Sequence, residues 1–114
     1  MSAPAFAAKA GADLDALLAV IGTATGANYL LQNWIPQSWL AGSHKPGFML
    51  DLLRKDLAAA LESARALGVP MPASGLAYQL YTASSGEGHG RDDYTSVATF
   101  YERAAGIQVR KKQT

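Results

Sequence analysis

The sequence predicts an all-α fold, a single domain of about six helices. Apolar residues recur at three- and four-residue spacings, which place them on one face of a helix. No stretch of Val, Ile and aromatic residues alternates at the two-residue period of a strand. Gly and Pro divide the chain into segments of helical length, so each segment predicts one helix.

The first two helices are short and are separated by glycine. The alanine-rich residues 4–10 predict a helix that stops at Gly11. Asp13 is expected to cap the second helix, because its carboxylate can accept from the free N–H groups of the first turn. Residues 14–21 place their leucines and isoleucine on one face, and the Gly- and Thr-rich residues 22–26 break the helix.

The third predicted helix covers residues 27–40. Pro36 lies inside it and is expected to kink it, since proline has no backbone N–H to donate. Trp34 and Trp39 flank the proline, and aromatic residues at such spacing usually anchor a core or an interface. A loop is predicted over residues 41–47.

The fourth helix, predicted over residues 48–67, has the strongest pattern. Gly68 is expected to cap it in a left-handed conformation, and Pro70 prevents its continuation. Asp51 precedes Lys55 by four residues, which is the spacing of a surface ion pair. The apolar stripe of this helix comprises Leu50, Leu53, Leu57, Leu61 and Ala64.

The last two helices flank a Gly-rich segment. Residues 73–84 follow a stiff Pro-containing linker and predict a fifth helix. The Gly-rich residues 85–92 are predicted to be a flexible loop between helices. A phosphate-binding loop is not predicted, because it would need a strand before it and a helix directly after it. Asp93 or Thr95 then caps a last helix, which Gly106 ends.

Composition narrows the classes of function. The 114 residues carry a net charge of +1 and no cysteine, which gives no support to a nucleic-acid partner and excludes disulfides. His44 and His89 lie far apart in the sequence, and no metal site is predicted. No apolar run approaches the ~20 residues of a membrane span, and no signal-peptide pattern occurs. A soluble, cytoplasmic protein is expected, with residues 107–114 as a basic tail.

Lys55 and Asp56 form the best candidate for a chemical site. Their side chains point about 100° apart on the helix. On a free-standing bundle such a pair is normally solvated. In a cleft, the ammonium can donate to a carboxylate or a ribose hydroxyl, and the carboxylate can orient the ammonium.

A set of motifs occurs in a fixed order along most of the chain. They are Pro46-Gly47-Phe48, Lys55-Asp56-Leu57, the run from Ala64 to Pro72, Tyr81 and the run from Gly90 to Thr95. This order resembles the C-terminal domain of the NAD(P)-dependent 3-hydroxyacid dehydrogenases, the family of 3-hydroxyisobutyrate dehydrogenase and tartronate semialdehyde reductase. The resemblance implies that residues 1–106 form a helical domain like the C-terminal domain of 6-phosphogluconate dehydrogenase, packed beside an N-terminal Rossmann domain.

The resemblance also implies a function. The domain would line the substrate and cofactor cleft of an oxidoreductase that acts on 3-hydroxy acids or their semialdehydes. Phe48 would bind the substrate, while Lys55 and Asp56 would bind NAD or NADP. The same domain would form the interface of a homodimer or a higher homo-oligomer.

Two features of that family do not occur in this sequence. One is the Gly-rich strand–turn–helix of the Rossmann domain, and the other is the Gly-rich motif that carries the catalytic lysine and ends in Asn-Asn. Lys9 is not followed by Asn-Asn and is not assigned that role. We therefore predict no catalytic residue, and we expect the chain alone to bind no cofactor and to be inactive.

Two functions stay open at this point. The first is the C-terminal part of such a dehydrogenase, completed by an N-terminal Rossmann domain. The second is a stand-alone helical module that oligomerises or binds another protein without catalysis. In either case we expect exposed apolar area around Phe48, Leu52 and the region from Trp34 to Trp39, and we expect oligomerisation to bury it.

Overall fold

A computed structural model describes residues 2–110, and it confirms the all-α class. Over this range there is no β-strand, and extended pairing is limited to one antiparallel bridge between Met49 and Asp93. None of the helices in the described range has the length and hydropathy needed to cross a lipid bilayer. The described residues form two compact units, namely unit 1 (residues 2–44 and 98–110) and unit 2 (residues 45–97).

Helices and helical turns make up the secondary structure. The α-helices are α1 (Ser2–Lys9), α2 (Leu14–Gly22), α3 (Ile35–Gln37), α4 (Leu50–Leu67), α5 (Pro72–Ser84) and α6 (Thr99–Ala105). The shorter segments are two π-helical turns, Leu30–Trp34 and Ser85–His89, and one 3-10 turn, Tyr94–Ala98.

Unit 1 packs α1 against α2 and α6. Asp13 caps α2 as predicted, because its Oδ1 accepts a hydrogen bond from the Asp15 N–H at 3.0 Å. Gly106 ends α6 with a φ of +67°, a left-handed conformation that glycine adopts without a Cβ clash. The buried residues of the core are Ala5, Leu14, Ile35, Trp39, Leu40, Ala98 and Val109.

The third helical segment is shorter and less regular than predicted. The turn before Pro36 is π-helical, with the Ile35 N–H donating to the Leu30 carbonyl five residues back. A regular α-helical ladder cannot pass through Pro36, which has no N–H, and the wider turn accommodates that gap. The prediction of a helix as far as Leu40 is wrong, since α3 ends at Gln37.

Two further expectations for unit 1 need correction. Trp39 is only 2% exposed and lies in the core, so it does not contribute exposed apolar area. Part of the predicted basic tail is packed, because Val109 is fully buried and Arg110 Nη1 donates to the Trp39 carbonyl at 3.3 Å. Residues 111–114, the rest of that tail, lie outside the described residues.

Unit 2 is built on α4 packed against α5. The apolar stripe of α4 lies on its less exposed side, which agrees with the predicted pattern. Its buried or half-buried members are Leu50, Leu53, Leu57, Leu61 and Ala64. Gly68 caps the helix with a φ of +71°, which confirms the predicted left-handed cap.

The ends of α4 and α5 differ from their predicted positions. The predicted start of α4 at Phe48 is wrong, because Met49 is extended and the helix begins at Leu50. The predicted loop after α5 begins instead as a π-helical turn, which Gly88 interrupts with a φ of +102°. Ser85 Oγ donates to Asp51 Oδ1 at 2.6 Å, so a contact with α4 holds this turn in place.

Candidate functional site

Within unit 2, the segment that leads into α4 runs beside residues 90–95. Three backbone hydrogen bonds join the two segments. They are Tyr94 N–H to Phe48 O at 2.8 Å, Leu50 N–H to Asp92 O at 2.9 Å, and Asp51 N–H to Gly90 O at 2.9 Å. The backbone that carries Phe48 is therefore fixed by a distant part of the sequence.

Asp93 ties the same two segments together through both of its carboxylate oxygens, and we call this arrangement the Asp93 clamp. The side chain is fully buried. Its Oδ1 accepts from the N–H groups of Gly47 at 2.9 Å and Phe48 at 3.2 Å. Its Oδ2 accepts from the Thr95 N–H at 3.2 Å and from Thr95 Oγ1 at 2.5 Å. A carboxylate out of contact with water needs such donors, and hydrogen bonds to a charged acceptor are stronger than neutral ones.

The ring of Phe48 meets the ring of Tyr94. The centroids are 6.4 Å apart and the planes cross at 67°, an edge-to-face geometry. Phe48 remains 37% exposed, so part of its ring is open to a ligand. Burial raises the pKa of the Tyr94 hydroxyl above its usual value, and the nearby charge of Asp93 adds to this effect. The phenol therefore stays protonated at neutral pH and can act as a hydrogen-bond donor.

Lys55 and Asp56 lie on the exposed side of α4. Leu52 precedes them by three and four residues and is 38% exposed, so helical geometry places it beside both charged groups. This side of the helix combines an ammonium, a carboxylate and an apolar side chain. Such a surface can contact the ribose hydroxyls and the flat ring of a dinucleotide.

Asp51 does not form the surface ion pair that the sequence predicts. The predicted partner is Lys55, four residues along the helix surface. In the structure the Asp51 carboxylate accepts a hydrogen bond from Ser85 Oγ and contacts Gly90 closely. Lys55 is exposed, and it lies beside Asp56 rather than being drawn into this contact.

The three residues predicted for the site have different settings. Lys55 and Asp56 share the exposed side of α4, whereas Phe48 lies before the helix and is fixed through the Asp93 clamp. The sequence predicts Asp93 or Thr95 as the cap of the last helix, and this is wrong, because α6 begins at Thr99 and its N-cap, Ala98, has no capping side chain. Asp93 instead accepts from the Thr95 N–H at the start of the 3-10 turn Tyr94–Ala98. Its bonds to Gly47 and Phe48 span 46 and 45 residues. No local pattern signals a contact of that range.

Comparisons with known proteins agree with this fold. The chain matches, over residues 2–101, the family described as "NAD-binding of NADP-dependent 3-hydroxyisobutyrate dehydrogenase". It is 35% identical over 91 residues to 3-sulfolactaldehyde reductase of Escherichia coli, covering 80% of this chain and 30% of that protein. It is 30% identical over 101 residues to 2-(hydroxymethyl)glutarate dehydrogenase of Eubacterium barkeri, covering 89% of this chain and 34% of that protein.

Solved structures show the same similarity. A 3-hydroxyisobutyrate dehydrogenase from Salmonella typhimurium aligns with a TM-score of 0.78 and 32% identity, over 86% of this chain and 34% of that one. A 3-hydroxyisobutyrate dehydrogenase from Mycobacterium tuberculosis aligns with a TM-score of 0.74 and 28% identity, over 86% of this chain and 37% of that one. The chain thus spans about a third of the length of the relatives it matches. The match over residues 2–101 and the shared fold show that this chain belongs to the 3-hydroxyisobutyrate dehydrogenase family.

Proposed function

We propose that this chain acts as the C-terminal helical part of an NAD(P)-dependent oxidoreductase, where it forms one wall of the cleft for substrate and cofactor. Lys55 and Asp56 contact the cofactor, and Phe48 contacts the substrate. The partner in the cleft is an N-terminal Rossmann domain. Without that domain the chain has no activity and binds no cofactor.

One observation carries the proposal. The family whose pattern extends over residues 2–101 is described as the NAD-binding part of an NADP-dependent enzyme. The names of the relatives, a reductase of 3-sulfolactaldehyde and dehydrogenases of 2-(hydroxymethyl)glutarate and L-threonate, support an acid that carries a hydroxyl or aldehyde group as the substrate class.

The chemistry of the residues is consistent with these roles. Hydride transfer requires a bound nicotinamide, which supplies or accepts the hydride, and a proton donor at the substrate oxygen. Lys55 can donate to a ribose hydroxyl or to a substrate carboxylate, and Asp56 can orient that ammonium. The aromatic ring of Phe48 can exclude water from the reacting carbons. None of the three residues needs to transfer the proton itself.

A direct test compares the chain alone with the assembled enzyme. The coding sequence upstream of residue 1 is determined, and a Rossmann domain encoded there is expressed together with the chain. We expect hydride transfer between NAD(P) and 3-hydroxy acids, followed by nicotinamide absorbance, only in the assembled enzyme. Turnover by the chain alone would refute the proposed requirement for a Rossmann domain.

A variant pair tests the role of Lys55. Lys55→Ala in the assembled enzyme should raise the KM for the cofactor about tenfold, the effect of losing one hydrogen bond to a charged group. Arg65→Ala is the control, because Arg65 is an exposed cation near the other end of α4 that pairs with Glu62. Equal effects of the two substitutions would contradict a specific role for Lys55.

The proposal includes a homodimer or a higher homo-oligomer. Apolar side chains around the connection between α4 and α5 support it, with Leu67 79%, Val69 51% and Leu76 64% exposed. Apolar area of this kind is commonly buried on association. Sedimentation velocity should show a dimer or larger species that Leu76→Asp shifts toward the monomer. A monomer at high concentration would contradict the oligomer, and a tight oligomer without any Rossmann partner in the genome would favour the stand-alone module.

A further inference from the structure

We propose that Asp93 is a positioning residue for the substrate, because its buried carboxylate sets the place of the Phe48 ring. This inference rests on the proposed function, since it takes Phe48 as the substrate contact. It adds a residue that touches neither substrate nor cofactor. Asp93 has no exposed surface, so any effect it has on a ligand passes through the residues it holds.

The clamp acts at the most flexible point before the ring. Gly47 precedes Phe48, and glycine has more backbone freedom than any other residue. Asp93 Oδ1 accepts from the consecutive N–H groups of Gly47 and Phe48. Two bonds to one oxygen fix the direction of this short segment, and Phe48 keeps 37% of its surface exposed. The Phe48 side chain is thus accessible, while the backbone that carries it is held in place.

The second oxygen fixes the other ring of the pair. Asp93 Oδ2 holds Thr95 through both its N–H and its hydroxyl, and Tyr94 lies between these two residues in the chain. The Tyr94 N–H in turn donates to the Phe48 carbonyl at 2.8 Å. A single carboxylate therefore sets the backbone of both aromatic residues, and with it the edge-to-face contact of their rings.

Amide hydrogen exchange measured by NMR on the full chain tests the clamp without any assay of activity. In the wild type, the amides of Gly47 and Phe48 should exchange at least about tenfold more slowly than expected for an exposed segment. Asp93→Ala should abolish this protection and the nuclear Overhauser cross-peak between the Phe48 and Tyr94 rings. The amides in the middle of α4 should stay protected. Thr95→Val is the matched control, because it removes one donor to Oδ2 and leaves both donors to Oδ1.

The outcomes of this first experiment are decisive. Rapid exchange at Gly47 and Phe48 in the wild type would overturn the clamp, and this measurement remains available if Asp93→Ala does not fold. Retained protection in a folded Asp93→Ala would overturn it as well. Loss of protection in Thr95→Val equal to that in Asp93→Ala would show general loosening rather than a specific hold on Phe48.

Kinetics in the assembled enzyme test the link to substrate. Asp93→Ala and Phe48→Ala should each raise the KM for the 3-hydroxy acid about tenfold and leave the KM for the cofactor unchanged, and the double variant should add little. A loss of folded protein would instead lower the maximal rate and leave both KM values in place. If Phe48→Ala has no effect, the proposed substrate role fails although the exchange result stands. If only Phe48→Ala raises the KM, the positioning role of Asp93 is refuted.

Discussion

Arg54 on α4 is joined to Thr82 on α5, since Arg54 Nε donates to Thr82 Oγ1 at 3.0 Å. The Thr82 hydroxyl donates in turn to the Tyr78 carbonyl at 2.8 Å, which directs its lone pairs toward the guanidinium. The Arg54 guanidinium carbon lies 5.5 Å from the centre of the Tyr78 ring. The half-buried Arg54 side chain therefore links α4 to α5 through one hydrogen bond and one cation–π contact.

Replacing Arg54 by Lys should lower the free energy of unfolding by about 1–2 kcal/mol, because an ammonium does not reproduce both contacts of the planar guanidinium. Urea denaturation followed by circular dichroism measures the change. Arg65→Lys serves as the control, since Arg65 is on the same helix and its pair with Glu62 is solvent-exposed. Equal losses of unfolding free energy in the two variants would refute a special contribution from the Arg54 contacts.

Gly90→Ala should destabilise the protein, whereas Gly86→Ala should not. A Cβ on Gly90 would collide with the Asp51 carboxylate, but a Cβ on Gly86 would meet open space. We expect a loss of about 1–3 kcal/mol for Gly90→Ala from forced repacking. For Gly86→Ala we expect no loss, or a gain of up to about 1 kcal/mol from reduced freedom of the unfolded chain.

Thermal or urea unfolding compares the two alanine variants directly. Combining Gly90→Ala with Asp51→Ala should recover part of the loss, because the second substitution removes the colliding carboxylate. An unchanged stability of Gly90→Ala would mean that the contact with Asp51 relaxes without cost.

Glu102→Ala should destabilise unit 1 by about 1–3 kcal/mol, the cost of leaving a buried donor without a partner. Glu102 Oε2 accepts from the Val109 N–H at 2.7 Å, and Val109 is fully buried. Calorimetry measures the shift in melting temperature. Glu62→Gln, which alters an exposed carboxylate, should leave that temperature unchanged. Similar shifts for both variants would refute a specific hold on Val109.

Stability should fall in alkaline solution partly because of Tyr94. The pKa of Tyr94 is raised in the folded state from 10.0, so the folded protein keeps a proton that the unfolded chain loses. The stabilisation from this group is complete below pH 10 and is lost as the pH rises through the folded-state pKa. Tyr94→Phe retains the ring contact with Phe48 and should show a smaller loss of stability above pH 10 in urea titrations. An identical pH dependence of the variant would exclude this contribution.

Local residues predicted much of the fold. The caps at Asp13, Gly68 and Gly106 and the apolar stripe of α4 follow from spacing and from the conformational range of glycine. The third helix was predicted too long because Pro36 interrupts its hydrogen-bond ladder. Two other errors arose where distant contacts override local preference. Helix α4 starts at Leu50 because the preceding residues pair with residues 92–94. The Gly-rich sequence after α5 predicts a loop, yet the contact from Ser85 to α4 extends helical structure into it.

The candidate site also has a part that the sequence predicts and a part that it does not. Lys55 and Asp56 were predicted from their resemblance to a family motif, and their exposure agrees with access to a ligand. The bonds from Asp93 to the backbone before Phe48 were not predictable, because they join residues 45 and 46 positions apart. The same carboxylate carries a local bond to Thr95 and a long-range bond, and only the local one has a sequence signature.

Unit 2 is one continuous stretch, residues 45–97, whereas unit 1 combines residues from both sides of it. On the ribosome, residues 45–97 are therefore synthesised in full before the segment with Val109 leaves the exit tunnel. We expect the α4–α5 hairpin to become structured first, because unit 1 needs residues 98–110 to complete its core. A chain released after residue 97 would then form unit 2 alone and leave the Trp39 side chain in contact with water.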